Sequence, residues 1–324
     1  MANLSDIQHA LAPDLDALNA IIEQTLHSDT PLMHDIVANY LRTKGKQLRP
    51  LLVLLAGRLF GGVNERVLHA GAAIEMLHNA SLIHDDVIDQ AQNRRSVPTI
   101  NSVWDNHVAV LVGDFFVTGA LRCAVKTGNT TILEALATMG GDLSLGEINQ
   151  IDNARLHNIN EQDYLTTINK KTASLFECCV AVGGLANDAP ADDLDALKRY
   201  ARLMGICFQI KDDIFDYFDD SAVGKPTGND LREGKVTLPL IHALSQSQHP
   251  QHAAMVALAS SQQLSAQEIA TLVAFAKENG GIDYAYATMK RLKQQADDIL
   301  GRFPHSETTE MLRSIFDFII ERNN

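Results

Sequence analysis

The chain has 324 residues, of which 46% are hydrophobic and 21% are charged, and its formal net charge at pH 7 is −13. These proportions are typical of a soluble folded protein and exclude a disordered, collagen-like or coiled-coil chain. The acidic charge argues against a nucleic-acid-binding protein, which needs a basic face for phosphates. An anionic substrate would therefore need local cations or bridging metal ions.

The N-terminus has neither the basic nor the apolar region of a signal peptide. No uninterrupted apolar stretch reaches the 18 residues that a membrane span needs. The four cysteines form no Cys-x-x-Cys pair, and Cys178 and Cys179 lie in an apolar run, as thiols of a protein core do. We therefore expect a cytoplasmic protein in a reducing environment, with no membrane span.

The spacing of prolines and apolar residues predicts long helices. Because proline interrupts helices, proline-free intervals permit them, and the chain has four long ones: 51–97, 99–189, 191–225 and 251–303. Within them apolar residues recur every three or four positions, as in the series Leu194, Leu197, Ala201, Met204 and Phe208. No alternating strand pairs and no linker are found. The sequence predicts an all-α fold with a single domain over residues 1–324.

Basic residues occur in several short segments along the chain. The segment Lys44-Gly45-Lys46-Gln47-Leu48-Arg49-Pro50 places three cations near a predicted helix start, which suits a diphosphate that carries no metal. Further cations occur later in the chain, at Arg94, Arg95, Lys225, Arg232 and Lys235. Arginine is well suited to bidentate phosphate contacts.

Two of the five Asp-Asp pairs carry a further aspartate four residues after the first. We call residues 85–89 the first Asp motif and residues 212–216 the second Asp motif. Residues i and i+4 of a helix share a face, so each motif would bring together two carboxylates that repel by about 3 kcal/mol at about 6 Å. Magnesium relieves such repulsion and prefers oxygen ligands. The predicted magnesium ligands are Asp85, Asp86, Asp89, Asp212, Asp213 and Asp216.

Two other Asp-Asp pairs have simpler explanations. Asp192-Asp193 follows Pro190 and precedes an apolar stripe, so we expect the acidic start of a helix, where negative charge is favourable. Asp297-Asp298 is expected on a solvated helix face.

The two Asp motifs and their neighbouring cations resemble the paired signatures of the trans-isoprenyl diphosphate synthases. The resemblance extends from about Lys46 to Leu240 and includes the segments 82–89, 171–173, 208–216 and 224–235. It implies an isoprenoid-synthase bundle of helices with a central cavity flanked by two Asp-rich helices. It also implies an enzyme that condenses isopentenyl diphosphate head-to-tail with an allylic diphosphate, farnesyl or geranyl, using two to three Mg²⁺ ions.

The resemblance further implies roles for individual residues. Those expected to hold isopentenyl diphosphate are Lys46, Arg49, His78 and Arg95. Those expected to hold the allylic diphosphate are Arg94, Lys171 and Lys225, with Lys235 nearby. Thr172 and Gln209 would face the developing allylic cation. The chain departs from the family pattern at Gln47 and Ser96, where arginine and glycine are usual, and both changes leave the named cations in place.

Product length in this family is set by the helix face beneath the first Asp motif. The positions four and five residues before Asp85 are Ser81 and Ala80, about one turn away on the same face. Short-chain relatives have a bulky residue there. Two small residues predict a longer product, in the C30 to C40 range. The alternative is that Ala80 merely packs against a neighbouring helix.

Several other interpretations remain open from the sequence. A short-chain farnesyl or geranylgeranyl synthase and the catalytic subunit of a two-component synthase with a small partner are the principal ones. A terpene cyclase would lack the second Asp motif, and a calcium module would need the alternating ligands of an EF-hand loop. By resemblance we expect a homodimer, with no nucleic acid among its partners and a product able to partition into a membrane.

Overall fold

The computed structural model describes residues 3–42, 45–94, 97–218, 227–261 and 263–322. The chain divides into two compact units. The first unit comprises residues 1–140, 178–198 and 305–315, and the second comprises residues 141–177, 199–304 and 316–324.

Nearly all of the regular secondary structure of the described residues is helical. The first helices are α1 (Leu4–Ala10), α2 (Ala12–Thr25), α3 (Pro31–Leu41), α4 (Leu48–Leu59), α5 (Glu65–Ile88), α6 (Ile100–Val103), α7 (Asn106–Lys126), α8 (Thr130–Arg155) and α9 (Glu161–Ile168). A π-helical turn, Asn169–Ala173, follows α9. The remaining helices are α10 (Ser174–Leu185), α11 (Ala191–Phe215), α12 (Asn229–Arg232), α13 (Leu238–Ser245), α14 (His252–Ala259), α15 (Ala266–Glu278), α16 (Gly281–Leu300) and α17 (Glu307–Glu321). The antiparallel strands β1 (Asn93–Arg94) and β2 (Val97–Pro98) form a short ribbon.

Helix α5 is the centre of the first unit and carries the first Asp motif at its C-terminal end. The Asn64 side chain accepts a hydrogen bond from the Val67 N–H at 3.0 Å and so caps the start of the helix. Helix α5 packs mainly against α7, and also against α4 and α2. Gly113 of α7 allows a close approach, since a Cβ atom there would lie 2.2 Å from the His84 ring. Packing against α7 therefore holds the turn that precedes Asp85.

The second unit contains its own apolar core around α13 and α15. Buried core residues include Leu240, Leu244, Leu272 and Phe275. Helix α13 packs against both α15 and α16. Gly281 at the start of α16 is required by this packing, because a Cβ atom there would lie 2.1 Å from the Pro239 carbonyl oxygen.

Helix α7 is the one helix among the described residues that is long and apolar enough, by length and composition alone, to cross a membrane. Its most apolar window is 44% buried within the protein, and α7 packs along α5. Buried core helices of soluble proteins have the same length and composition. The expectation that the chain has no membrane span stays a prediction.

The all-α prediction is confirmed, and the β1–β2 ribbon is the exception to it in the described part of the chain. The predicted acidic helix start is also confirmed, since α11 begins at Ala191 with Asp192 and Asp193 in its first turn. Of the pair expected on a solvated face, Asp298 is exposed, whereas Asp297 is half-buried and pairs with Lys293 at 2.6 Å. The single domain over residues 1–324 stays a prediction.

Candidate active site

The first Asp motif occupies the last turn of α5 and the residue that ends it. Asp89 caps the helix, and its N–H donates to the Asp85 carbonyl at 2.8 Å. Asp86 is buried, and its Oδ1 accepts hydrogen bonds from Arg94 Nε at 2.9 Å and Arg94 Nη2 at 2.8 Å. Asp85 and Asp89 are thus one turn apart at a helix end, as predicted, while Asp86 fixes Arg94.

His84 is a residue of this region that the sequence reasoning did not single out. Its Nε2 lies 3.2 Å from the Val110 carbonyl oxygen and 3.7 Å from Asp114 Oδ1. The ring fits over Gly113 of α7. The only sequence signal was the glycine itself, whose missing side chain permits the contact.

The remaining predicted site residues of the first unit lie on α4, on α5 and before α4. Lys46 is exposed, Arg49 is half-buried and His78 is buried. The Lys46 carbonyl accepts a hydrogen bond from Gln8 Nε2 at 2.9 Å, which ties the segment before α4 to α1. Arg95 and Lys225, also predicted to bind diphosphate, lie outside the described residues.

The Ala80 and Ser81 positions differ in exposure. Ala80 is 1% exposed, whereas Ser81 is half-buried. The Ser81 hydroxyl donates to the His78 carbonyl at 2.9 Å within the helix. The enclosed position of Ala80 keeps open the alternative that it packs against a neighbouring helix.

The second Asp motif spans the end of α11, and each of its aspartates has a different partner. Asp212 Oδ1 lies 2.6 Å from Nη2 of Arg322. The two carboxylate oxygens of Asp216 accept the N–H groups of Asn229 at 2.9 Å and Asp230 at 3.0 Å. Asp216 lies just past the end of α11 and thereby caps the short helix α12.

Asp213 is the most enclosed carboxylate of the motif. It is 5% exposed and accepts hydrogen bonds from the Tyr164 hydroxyl at 2.5 Å and from Gln209 Nε2 at 2.8 Å. Burial raises the pKa of the Asp213 carboxyl to about 6, against the effect of these two hydrogen bonds. Burial, with the negative charges of Asp213 and Asp216, also raises the pKa of Asp230 to about 8.

The π-helical turn carries two of the predicted site residues, Lys171 and Thr172. Single π-helical turns occur frequently at functional sites. The Thr172 hydroxyl donates to Gln209 Oε1 at 2.7 Å, and Lys171 Nζ lies 2.6 Å from Glu147 Oε1. A Cβ atom at position 146 would lie 2.5 Å from the backbone nitrogen of Lys171, so position 146 needs glycine.

A polar cavity of about 120 Å³ lies beside these residues within the second unit. Its lining includes Lys171, Gln209, Asp213 and Lys235. Lys235 Nζ pairs with Glu233 at 2.5 Å. Four residues from three separate stretches of the sequence, which were predicted from the family resemblance or the Asp pattern, therefore meet at one cavity.

The carboxylates of the two Asp motifs fit magnesium in their chemistry, since they supply oxygen ligands. No group of three or more His, Cys, Asp or Glu side chains in the described part of the chain forms a ready-made metal site. In the second motif Arg322, Tyr164, Gln209 and two backbone N–H groups already occupy carboxylate oxygens. A cation bound there would have to share or displace those donors.

Comparison with known proteins places this geometry in a family. The polyprenyl synthetase family matches residues 30–275. The chain is 33% identical over 324 residues to the octaprenyl diphosphate synthase of Haemophilus influenzae, with 100% of this chain and 98% of that protein covered. It is 34% identical over 315 residues to component 2 of the heptaprenyl diphosphate synthase of Geobacillus stearothermophilus, with 97% of each covered.

A solved structure agrees with the sequence relatives. The decaprenyl diphosphate synthase from Rhodobacter capsulatus superposes with a TM-score of 0.92 at 33% identity, covering 99% of both chains. The resemblance to trans-isoprenyl diphosphate synthases and the isoprenoid-synthase type of fold are confirmed. The chain belongs to the polyprenyl synthetase family and is a prenyltransferase.

Proposed function

We propose that the protein condenses isopentenyl diphosphate head-to-tail with an allylic diphosphate, farnesyl or geranyl, to give a trans-polyprenyl diphosphate of C30 to C40. The observation that carries the proposal is the meeting of Lys171, Gln209, Asp213 and Lys235 at one polar cavity. The names of relatives matched over nearly the whole chain, octaprenyl and heptaprenyl diphosphate synthases, support the length range.

The six aspartates of the two motifs are proposed to hold two to three Mg²⁺ ions together with the allylic diphosphate. When bound, magnesium would neutralise the diphosphate and make it a better leaving group. The i, i+4 placement of Asp85 and Asp89 at the end of α5 supports this assignment for the first motif. For the second motif the support is the carboxylate chemistry together with the adjoining cavity.

The cations nearby are proposed to bind the two diphosphates. Lys171 and Arg94 would add fixed positive charge where the departing diphosphate gains negative charge. Arg94 is held for this by Asp86, and Lys171 by Glu147 and by Gln150 Oε1 at 3.1 Å. The residues proposed for isopentenyl diphosphate are Lys46, Arg49, His78 and Arg95, and Lys225 and Lys235 are proposed beside the allylic diphosphate.

The proposed reaction needs no protein nucleophile. The C–O bond of the allylic diphosphate breaks, and the resulting cation is stabilised by the oxygens of Thr172 and Gln209, which are hydrogen-bonded to each other at 2.7 Å. The double bond of isopentenyl diphosphate attacks that cation. The proton lost afterwards passes to the departing diphosphate, so atoms and charge balance.

Two alternatives concern partners and product length. Component 2 of a heptaprenyl diphosphate synthase, a relative at 34% identity, is by name one part of a two-part enzyme, so a small second subunit remains an alternative for this chain. A geranylgeranyl diphosphate synthase of Sulfolobus acidocaldarius is 30% identical, which keeps a short-chain product as the other alternative.

We also propose a homodimer in the cytoplasm. Helix α7 has a row of large apolar side chains exposed to solvent, which is energetically unfavourable: Val110, Leu111, Leu121 and Val125. A second copy of the chain would cover that row. The reducing compartment is supported by the four cysteines, all of which are buried free thiols.

The function is tested by incubating the purified chain alone with labelled isopentenyl diphosphate, Mg²⁺ and each allylic diphosphate in turn. We expect label in solvent-extractable product only when an allylic primer is present, and loss of that product when EDTA is added. Incorporation that appears only with a co-expressed small subunit would favour the two-component alternative. Incorporation without a primer would contradict the proposed condensation.

A further inference from the structure

Four side chains of the second unit form a hydrogen-bonded network, which we call the Tyr164 relay. The Tyr164 hydroxyl donates to Asp213 Oδ2 at 2.5 Å, and Gln209 Nε2 donates to Asp213 Oδ1 at 2.8 Å. The Thr172 hydroxyl donates to Gln209 Oε1 at 2.7 Å. Tyr164, Asp213 and Thr172 are buried. Both oxygens of the Asp213 carboxylate are therefore held by named donors.

The four residues of the Tyr164 relay lie on two helical segments. Tyr164 lies on α9, and the π-helical turn that continues α9 carries Thr172. Gln209 and Asp213 are four residues apart on α11 and so share one face. Gly205 of α11 brings the two elements together, since a Cβ atom there would lie 2.6 Å from the Ala173 Cα. Two side-chain hydrogen bonds thus link the two helical segments, from Tyr164 to Asp213 and from Thr172 to Gln209, while the third joins Gln209 and Asp213 within α11.

The direction of each hydrogen bond determines how the Gln209 amide is turned. A carboxylate only accepts hydrogen bonds, so Gln209 presents its NH₂ group to Asp213. Its carbonyl oxygen is then turned towards Thr172. This is the orientation in which an amide oxygen can face a cation, and it depends on the Asp213 carboxylate keeping its own orientation.

Tyr164 holds Oδ2 of Asp213, the carboxylate oxygen that Gln209 does not bind. Its position is itself secured, because the Asn160 side chain caps α9 by accepting the N–H groups of Gln162 at 2.8 Å and Asp163 at 3.1 Å. Without the Tyr164 hydroxyl, Asp213 Oδ2 would lose its donor in a buried place. The carboxylate would then be free to rotate about its Cβ–Cγ bond, and Gln209 would lose its fixed partner.

We infer that Tyr164 is a positioning residue for prenyl transfer, which acts through Asp213 to keep the Gln209 amide oxygen directed at the allylic cation. This inference rests on the proposed function, in which Gln209 and Thr172 face that cation. No described hydrogen bond joins Tyr164 to Lys171 or Lys235, the residues of the cavity that are proposed to bind diphosphate. Its removal should therefore slow the chemical step and leave substrate affinity nearly unchanged.

The test is a double-mutant cycle in which kcat and KM for both diphosphates are measured. The variants are Tyr164→Phe, Gln209→Ala and the two combined. The matched control is Tyr217→Phe, since Tyr217 is also buried and its hydroxyl also makes a hydrogen bond, to Thr237 Oγ1 at 3.1 Å. We expect Tyr164→Phe to lower kcat about tenfold, as for loss of a hydrogen bond to a charged group, with each KM changed less than about twofold.

The cycle separates this inference from the proposed function. If Tyr164 acts through Gln209, the double variant should be no slower than Gln209→Ala alone, because coupled positions are not additive. A normal kcat for Gln209→Ala would contradict the proposed role of Gln209. A slow Gln209→Ala with a normal Tyr164→Phe, or with fully additive losses in the double variant, would overturn the inference. So would an equal kcat loss in Tyr217→Phe.

A readout without turnover is the NMR signal of the Gln209 side-chain amide in ¹⁵N-glutamine-labelled protein, assigned by its absence in Gln209→Ala. We expect that signal to shift or broaden in Tyr164→Phe and to stay in place in Tyr217→Phe. An unchanged signal in Tyr164→Phe would overturn the inference. It would do so even if the variant had a lower kcat, because a loss of stability could lower kcat by itself.

Discussion

Nη2 of Arg322 lies 2.6 Å from Oδ1 of Asp212, so the residue that follows α17 is anchored to the second Asp motif. The same nitrogen donates to the Phe208 carbonyl at 3.1 Å, and the guanidinium lies 4.1 Å from the centre of the Phe208 ring. The Arg322 side chain is 8% exposed. Because a buried guanidinium left without its carboxylate is costly, we expect the protein to depend on this pair.

Replacing Arg322 with methionine should destabilise the protein although the apolar stem is retained. We expect Arg322→Met to lower the free energy of unfolding by about 1–3 kcal/mol, the cost of losing charged hydrogen bonds in a buried place. The matched control is Arg202→Met, which removes an ion pair of similar length, 2.7 Å to Glu177, whose arginine is 47% exposed. That control should cost under about 1 kcal/mol. Equal losses in urea unfolding would contradict the importance of burial.

The two Asp motifs should be essential for turnover, and their alanine variants should keep the helical fold, although Asp212→Ala also removes the partner of Arg322. We expect Asp85→Ala and Asp212→Ala each to lower kcat about 100-fold or more, since each removes a carboxylate proposed to hold the Mg²⁺ that stabilises the departing diphosphate. The control is Asp192→Ala, which removes an aspartate from the first turn of the same helix α11. Circular dichroism checks the fold. Near-normal turnover in both motif variants would refute the metal assignment.

The small residues beneath the first Asp motif should control product length. We expect Ser81→Phe and Ala80→Phe to shorten the product, and Ser81→Ala, which keeps a small side chain, to leave it unchanged. Because Ala80 is 1% exposed, Ala80→Phe should also lower stability by about 1–3 kcal/mol through overpacking. Mass spectrometry of the products and thermal melts provide the measurements. A loss of stability without shortening would mean that Ala80 only packs.

The pKa of Asp230, raised to about 8 chiefly by burial, predicts a pH dependence of stability. In the unfolded chain an aspartate releases its proton near pH 3.9. Between about pH 4 and pH 8 the folded protein therefore holds a proton that the unfolded chain has lost, so stability falls as pH rises. Asp230→Asn removes this effect.

Melting temperatures in EDTA at pH 5 and pH 8 test this dependence. Relative to the unmutated protein, Asp230→Asn should gain more stability at pH 8 than at pH 5. An exposed aspartate in the first turn of α16 provides the control, Asp283→Asn. The same difference at both pH values for Asp230→Asn would contradict the raised pKa.

Features that depend on local spacing were predictable from the sequence. The period of apolar residues predicted the helices, and the i, i+4 spacing predicted that Asp85 and Asp89 lie one turn apart on α5. The acids at Asp192 and Asp193 predicted the start of α11. In each case the physical cause acts within one or two helical turns, so a short stretch of sequence is sufficient.

Features that depend on distant contacts were not predictable. Asp216 was expected on a helix and lies past its end, where it caps α12, thirteen residues further along the chain. Arg322 and Asp212 are 110 residues apart. The π-helical turn at Asn169–Ala173 has no local composition signal, and it packs closely against two glycines distant in sequence, Gly146 and Gly205. All three involve contacts between residues that are far apart in the chain.

Product analysis with the unmutated protein tests the proposed function most directly. The chain alone is incubated with isopentenyl diphosphate, Mg²⁺ and geranyl, farnesyl or geranylgeranyl diphosphate. The products are dephosphorylated and separated by chromatography, and their masses are determined by mass spectrometry. We predict all-trans polyprenols of C30 to C40 that require both substrates. Products that stop at C15, or the absence of any elongated product with every primer, would contradict the proposal.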